Sequence, residues 1–293
     1  MISAILLTLL LAGASNQANE PPDSLIIQMR SNLYRVYDNF DEEQLLATEK
    51  AFEELQSSYP KSWIVRYYTA LAESFLADIY LVTQENKKLA ASLESGISQI
   101  EECIKLNEAF AEAYILLAKL YAGQAYLDPY AGRDLSGKIL VNLNRAEQLE
   151  PDNPRLHFIS GLISYFAPPM VGGGAEVAKI KLKQALGSFA RFRPANKIYP
   201  DWGHKEAHAW LGQIAAKQDS LQLAKSHYQK ALAIDPDYLW VKARLLPELH
   251  TETSVTPAPD SNIKVTVWTG FIAGFVGLCV VFFLIIKKFV LTS

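Results

Sequence analysis

His204 and His208 are the pair whose types and spacing come nearest to chemistry. Four residues apart, they share one face of a helix, and two imidazoles so placed can hold zinc. The zinc-protease pattern needs Glu directly after the first His, and here Glu206 stands one position late. Gly172-Gly173-Gly174 is not followed by Lys-Ser or Lys-Thr, so it is not a phosphate-cradling P-loop. No Gly-x-Ser-x-Gly elbow occurs, and no histidine stands in a motif with a Ser or Cys nucleophile. Cys103 falls in an apolar-periodic stretch and reads as a small packed residue, not a redox thiol. The expectation is a chain with no enzymatic activity, no cofactor and no metal.

The elements around these residues are helices in pairs. Lys205 to Tyr238 is a helix–turn–helix unit of about 34 residues. Gly212 allows two helices to approach, as do Ala224 and Ala231 on the second helix, and Tyr228 fills the wedge between them. Asp235-Pro236 ends the unit, because proline has no amide hydrogen and restricts its predecessor. Leu211-Gly212, the Ala224–Tyr228–Ala231 series and Pro236 together resemble the tetratricopeptide repeat (TPR). A lone unit of this kind cannot bury its apolar face, so it predicts stacked neighbours.

Those neighbours are legible at varying strength. Ala111 opens a unit with Leu117, Ala118 and Tyr121, then Ile139, Leu143 and Ala146, ending at Glu150-Pro151. Ser62-Trp63 opens another with Ala72, Phe75, Gly96, Ile100 and Cys103; it is longer than the template by about 12 residues. Helix extension through Leu76 to Tyr80 is the expected use of that length. Pro154 to Ala190 carries Gly161, Ala178, Leu182 and Ala185, with a turn of two prolines and three glycines. A divergent opening pair begins with the stripe Leu25, Met29, Leu33 and Val36 or Tyr37, capped by Asp23-Ser24. Its second helix starts at Asp41 with Leu45, Thr48, Phe52 and Leu55 on one face. The segment Ala122 to Gly137 reads as an enlarged turn carrying Tyr126 and Tyr130; it serves either binding or packing over the helix pair. Trp202 will seek burial, so Pro200 to Gly203 reads as a structured turn. The fold expected is all-α: a TPR-like superhelix of about five helix pairs and a closing helix over residues 24–249.

The resemblance implies a concave groove lined by the first helix of each pair, where such domains bind peptides or partner helices. By register the groove positions are Arg66, Thr69 and Glu73, then Glu112, Ile115 and Lys119. They continue as Arg155, Phe158, Leu162 and Tyr165, then Glu206, Gln213 and Lys217. The Phe158–Leu162–Tyr165 stripe is unusually apolar for a groove; it is either a binding patch or buried under a long turn.

The two ends place the chain. Residues 1–14 read as a secretory signal peptide, cleaved at Ala12-Gly13-Ala14 or retained as an anchor. Val265 to Ile286 is uncharged over about 22 residues, enough for one transmembrane helix at 264–288. Lys287-Lys288 outweigh Lys264, which puts the tail 289–293 in the cytoplasm and the repeat domain outside it. Residues 250–263, with Pro257 and Pro259, are the linker. The absence of any Asn-x-Ser/Thr acceptor favours a bacterial inner membrane facing the periplasm. The formal net charge of −3, with no cluster of Lys and Arg, argues against nucleic acid. Gly270, Gly274 and Gly277 offer a face on which two membrane helices could pair as a homodimer; the alternative is that they face lipid. Two functions follow. One is a membrane-tethered scaffold that binds a protein or peptide partner. The other is a small-ligand-binding component associated with a transporter. An open groove supports the first, and an enclosed apolar pocket near Phe158 and Tyr165 the second.

Overall fold

The computed structural model describes residues 20–251. Among these residues the secondary structure is helical, without strands. Five helix pairs follow one another: α1 (Asp23–Asp38) with α2 (Glu42–Ser58), α3 (Trp63–Thr83) with α4 (Asn86–Leu106), α5 (Ala111–Leu127) with α6 (Gly132–Leu149), α7 (Pro154–Phe166) with α8 (Ala175–Arg191), and α9 (His204–Lys217) with α10 (Leu221–Ile234). A π-helical turn, Val241–Leu245, leads into α11 (Leu246–Thr251), which closes the stack. None of these helices is long and apolar enough to cross a membrane. The expected signal at 1–14, span at 264–288 and tail at 289–293 lie outside the described residues.

The helix starts follow from side chains that satisfy orphan amides. Asp41 accepts the Gln44 amide at the head of α2, and Asn153 accepts those of Arg155 and Leu156 at the head of α7. α1 departs from expectation, since Pro22 stands at its cap position and no side-chain cap bond forms. Its buried stripe is Ile26, Arg30, Leu33 and Val36; the expected Leu33 and Val36 are in it, and the expected Leu25, Met29 and Tyr37 pack against the core half-buried. Arg30 lies in this stripe because its acceptors stand on a distant segment of the fold. On α2 the expected Leu45, Thr48, Phe52 and Leu55 are all buried.

The extra residues became helix. α3 and α4 are 21 residues each, so the surplus in that unit is helix extension. The expected long turn at 122–137 is mostly helical as well. α5 continues to Leu127, a 3₁₀ turn covers Pro129–Ala131, and α6 starts at Gly132. Nothing before Asp128-Pro129 breaks the helix, and Gly123 fits because Leu93 packs on it; a Cβ there would lie 2.7 Å from Leu93 Cδ2. The α7–α8 turn does need its glycines: a Cβ on Gly173 would lie 2.1 Å from the Ala167 carbonyl oxygen.

Two apolar clusters form the core. One joins α1 to α6, and the other joins α7 to α10 and the closing segment, with Ile115 of α5 and Ala146 of α6. Residues 192–203 link α8 to α9, yet Ile198 sits in the first cluster. The link is a strap that crosses back to the start of the chain. Arg30 donates from Nη1 to the Lys197 and Tyr199 carbonyls at 2.8 and 2.5 Å, and its Nη2 lies 3.1 Å from Asp201. Tyr68 donates its hydroxyl to the Ile198 carbonyl at 2.6 Å.

Candidate functional site

The concave face is divided in two by the strap. Over the first part, the chain fills its own groove. Tyr199 packs edge-on against Trp63 and Phe110, and Trp202 donates its indole N–H to the Tyr67 hydroxyl at 3.3 Å. Trp202 also meets Phe158 edge to face. Beneath the strap lies a fully buried ion pair: Arg155 Nε reaches both Glu112 oxygens at 2.7 and 2.8 Å. Asn153 donates to Glu112 at 2.7 Å, and Arg155 Nη1 donates to the Trp202 carbonyl at 3.3 Å. The pair thus ties α5, α7 and the strap together. Both charges have several partners, which burial of charge demands.

The second part remains open inside. A partly enclosed cavity of about 280 Å³ lies between the inner helices. Its wall is largely apolar, with Phe75, Leu81, Leu120, Ile159, Phe166 and Trp210 among the contributors. Tyr238 and Trp240, just after α10, close one side.

Its polar groups fall in two sets. Lys119 donates to Ser74 and Asp78, each at 2.7 Å, and Asp78 accepts the Tyr37 hydroxyl at 3.0 Å. The second set joins the two ends of the repeat domain. Lys205 on α9 donates to Asp38 of α1 at 2.5 Å and to Asp235 after α10 at 2.6 Å. Burial opposes its charge, but Glu206, Asp38 and Asp235 outweigh burial and raise its pKa. Glu206 faces the cavity. Burial pushes its carboxyl up to about 7, against the pull of Lys205 and with a further push from Asp38. Its Oε2 accepts the Gly203 amide at 3.0 Å, which caps α9, and among the described residues no ion pair reaches it.

The groove positions read from sequence are thereby sorted. Lys119, Phe158, Leu162 and Glu206 line the cavity, as does Tyr126 from the end of α5. Glu112 and Arg155 lie under the strap. Arg66 donates to Gln99 and to the Pro60 carbonyl, Thr69 bonds the Val65 carbonyl, and Glu73 abuts Gly96 of α4. These three point into the helix layers, and Ile115 is buried in the second cluster. On α3 the cavity wall is formed instead by Ser74, Phe75, Ala77, Asp78 and Leu81. α3 is buried on nearly every side, so its sequence offers no polar face from which to fix the rotation. Tyr165 meets Phe166 and Trp210 edge to face and accepts Lys217 at 2.7 Å, near the cavity but not on its wall. Gln213 is half-buried, and Tyr130 is 88% exposed on the 3₁₀ turn. Tyr37, Asp38, Asp78, Tyr238 and Trp240 were missed. Four of them come from the divergent first pair, the extended helix and the closing segment, which repeat register does not cover; Tyr238 was read only as the end of the last unit.

His204 and His208 do share a face. His208 Nδ1 lies 3.2 Å from Nδ1 of His227 on α10. Burial and the neighbouring His227 and His204 push His208 down to about 4. Among the described residues no group of three or more His, Cys, Asp or Glu is placed to hold a metal ion. Cys103 is buried in the first cluster, and burial raises its thiol pKa.

No protein-family model matches the chain, and no curated protein matches its sequence. Solved structures do match in shape. The chain is similar to the HusA haemophore from Porphyromonas gingivalis, with a TM-score of 0.57 and 17% identity over 66% of this chain and 92% of that one. It is also similar to TTC0263, a thermophilic TPR protein from Thermus thermophilus, with a TM-score of 0.52 and 20% identity over 78% of this chain and all of that one. At such identities the likeness is one of fold, and the fold is TPR-like.

Proposed function

We propose that this chain is a non-enzymatic binding protein that holds an apolar small molecule in its concave cavity. The observation that carries this reading is the cavity itself. It is half-enclosed, aromatic-rich and furnished with a few convergent polar groups, the usual build of a small-molecule site. The rest of the groove, where a peptide would lie, is filled by the strap. HusA is a haemophore, so a similar helical fold elsewhere serves a small-molecule carrier. The test is a thermal-shift screen of the full chain in lipid nanodiscs against apolar small molecules. Hits should disappear in Ala122→Trp, which fills the cavity. Hits that persist in that variant, or no hits at all, would sink the reading.

A second reading, the protein-interaction scaffold, is favoured by a different observation. Leu140 and Val141 on α6 and Ile180 on α8 are 59%, 67% and 59% exposed, more than solvation of a helix requires. Crosslinking from Leu140 in membranes should then capture one defined protein; a diffuse set would oppose it. In both readings the leader at 1–14 exports the chain and residues 264–288 tether it, with the domain 24–249 on the periplasmic face. A transporter is a fitting neighbour for a tethered ligand carrier.

A further inference from the structure

We infer that the ligand carries a positively charged group, and that Glu206 with the indoles of Trp210 and Trp240 forms its binding end. This rests on the small-ligand reading and specifies what the ligand must present.

The argument starts from the placement of charge. Each other acid on the wall already has an ammonium partner: Asp78 has Lys119, and Asp38 has Lys205. Lys205 also serves Asp235, so one ammonium is divided between two carboxylates. Glu206 adds a third carboxyl to that corner, and it acts on the same Lys205 without an ion pair of its own among the described residues. The corner is therefore short of positive charge. An apolar ligand with a cation would supply it, whereas an anionic one would meet Asp38 and Glu206 on the wall, with Asp235 behind Lys205.

The surrounding rings suit the same group. Trp210 follows Glu206 by one helical turn, so the two share a face of α9. Trp240 meets Trp210 edge to face with centroids 5.5 Å apart, and Tyr238 meets Trp240 at 6.1 Å. All four residues line the cavity. Ring faces attract cations, indole most strongly, and more so out of water. The fold already uses this attraction at the same corner: the Lys205 ammonium sits 4.7 Å from the Tyr238 ring centre. The two indoles stand on the cavity wall beside that contact.

Protonation of Glu206 adds a control. The groups facing it are Lys205 on its own helix, Asp38 and Tyr37 on α1, and Tyr238 beyond α10. Burial holds this carboxyl partly neutral near pH 7. A bound cation favours the ionised form, so binding releases a proton, and acidification weakens binding.

The experiment uses three probes with one body and different heads: 4-phenylbutyltrimethylammonium, 4-phenyl-1-butanol and 4-phenylbutyrate. Equilibrium dialysis is run on the full chain in nanodiscs, with empty nanodiscs as reference. The expected order is ammonium tightest, by about tenfold over the alcohol, with the carboxylate weakest. Glu206→Gln retains an oxygen for the Gly203 amide and removes the charge. It should abolish the preference for the ammonium over the alcohol. Lowering the pH of the native chain from 8 to 5.5 should weaken the ammonium alone, which tests the idea without any substitution. Equal binding of ammonium and alcohol, or an ammonium preference unmoved by both Glu206→Gln and pH, overturns the assignment while the small-ligand reading stands. Binding of none of the three overturns both.

Discussion

At the residue scale, the tightest helix–helix approach is at Gly212. A Cβ there would lie 2.3 Å from Tyr228 Cε1 and 3.1 Å from the Ala224 carbonyl oxygen. The ring is walled in and the carbonyl belongs to α10, so neither gives way easily. Gly212→Leu should destabilise the domain by about 1–3 kcal/mol or more, read by urea denaturation. The Glu112–Arg155 pair makes a different prediction. Removing either partner alone leaves a buried charge, and Arg155→Met or Glu112→Leu should each cost about 3–5 kcal/mol. The double substitution should recover much of that loss, because no charge is then stranded; a double-mutant cycle measures it. Glu206 fixes the sign of a pH effect. Its folded pKa, about 7, lies above the unfolded value, so the folded state binds more protons between roughly pH 4.5 and 7. Its contribution to stability is therefore greatest at low pH and is lost as pH rises through 7. Glu49 acts in the same direction, pushed to about 7 by burial and by Glu53 and Glu73. His208, held near 4, acts oppositely, adding stability as pH rises from about 4 to 6.5. Subtracting the Glu206→Gln profile from the native one isolates Glu206: the difference should fall with rising pH across that window.

At the element scale, the strap decides the shape of the concave face. It has no regular structure of its own and is held by side chains from distant helices. Arg30 supplies three contacts to it, two of them hydrogen bonds from a charged group to backbone carbonyls. Such bonds contribute about 1.5–3 kcal/mol each when buried. Arg30→Ala should accelerate amide hydrogen exchange across 197–203 well before it affects α9 and α10, as expected of a locally opening unit. Equal exchange in both variants would show that ring packing by Tyr199 and Trp202 holds the strap without Arg30. The strap also explains why Phe158 and Leu162, apolar residues on a groove helix, meet little water: Trp202 covers one end and the cavity takes the other.

At the scale of the whole molecule, Lys205 joins the first pair to the last. Asp38 belongs to α1 and Asp235 follows α10, so one ammonium closes the superhelix on itself. Lys205→Met would leave two carboxylates facing each other with no cation between them. The expected outcome is separation of α1 from the closing segment, a loss of up to about 3 kcal/mol, and an increase in radius of gyration by small-angle scattering. A curve superimposable on the native one would assign closure to the apolar contacts of Tyr238 and Trp240. The cavity depends on this closure, since its wall draws on both ends.

The sequence by itself determined the class and the count of elements. Helix periodicity, the helix start at Asp41, and small residues at Gly161, Ala178, Gly212 and Ala224 are local facts that the chain states directly. They sufficed because a helix pair is stabilised by neighbours close in sequence. What the sequence left open was settled by contacts between distant segments. The rotation of α3 was illegible because a helix buried all round shows no polar face. The inward turn of Arg30 depended on acceptors 167 and 169 residues away. The corner of Asp38, Glu206, Tyr238 and Trp240 exists only because the superhelix closes, bringing together groups that no repeat template relates. The packed core was therefore written in local pattern, and the candidate site was made by tertiary closure.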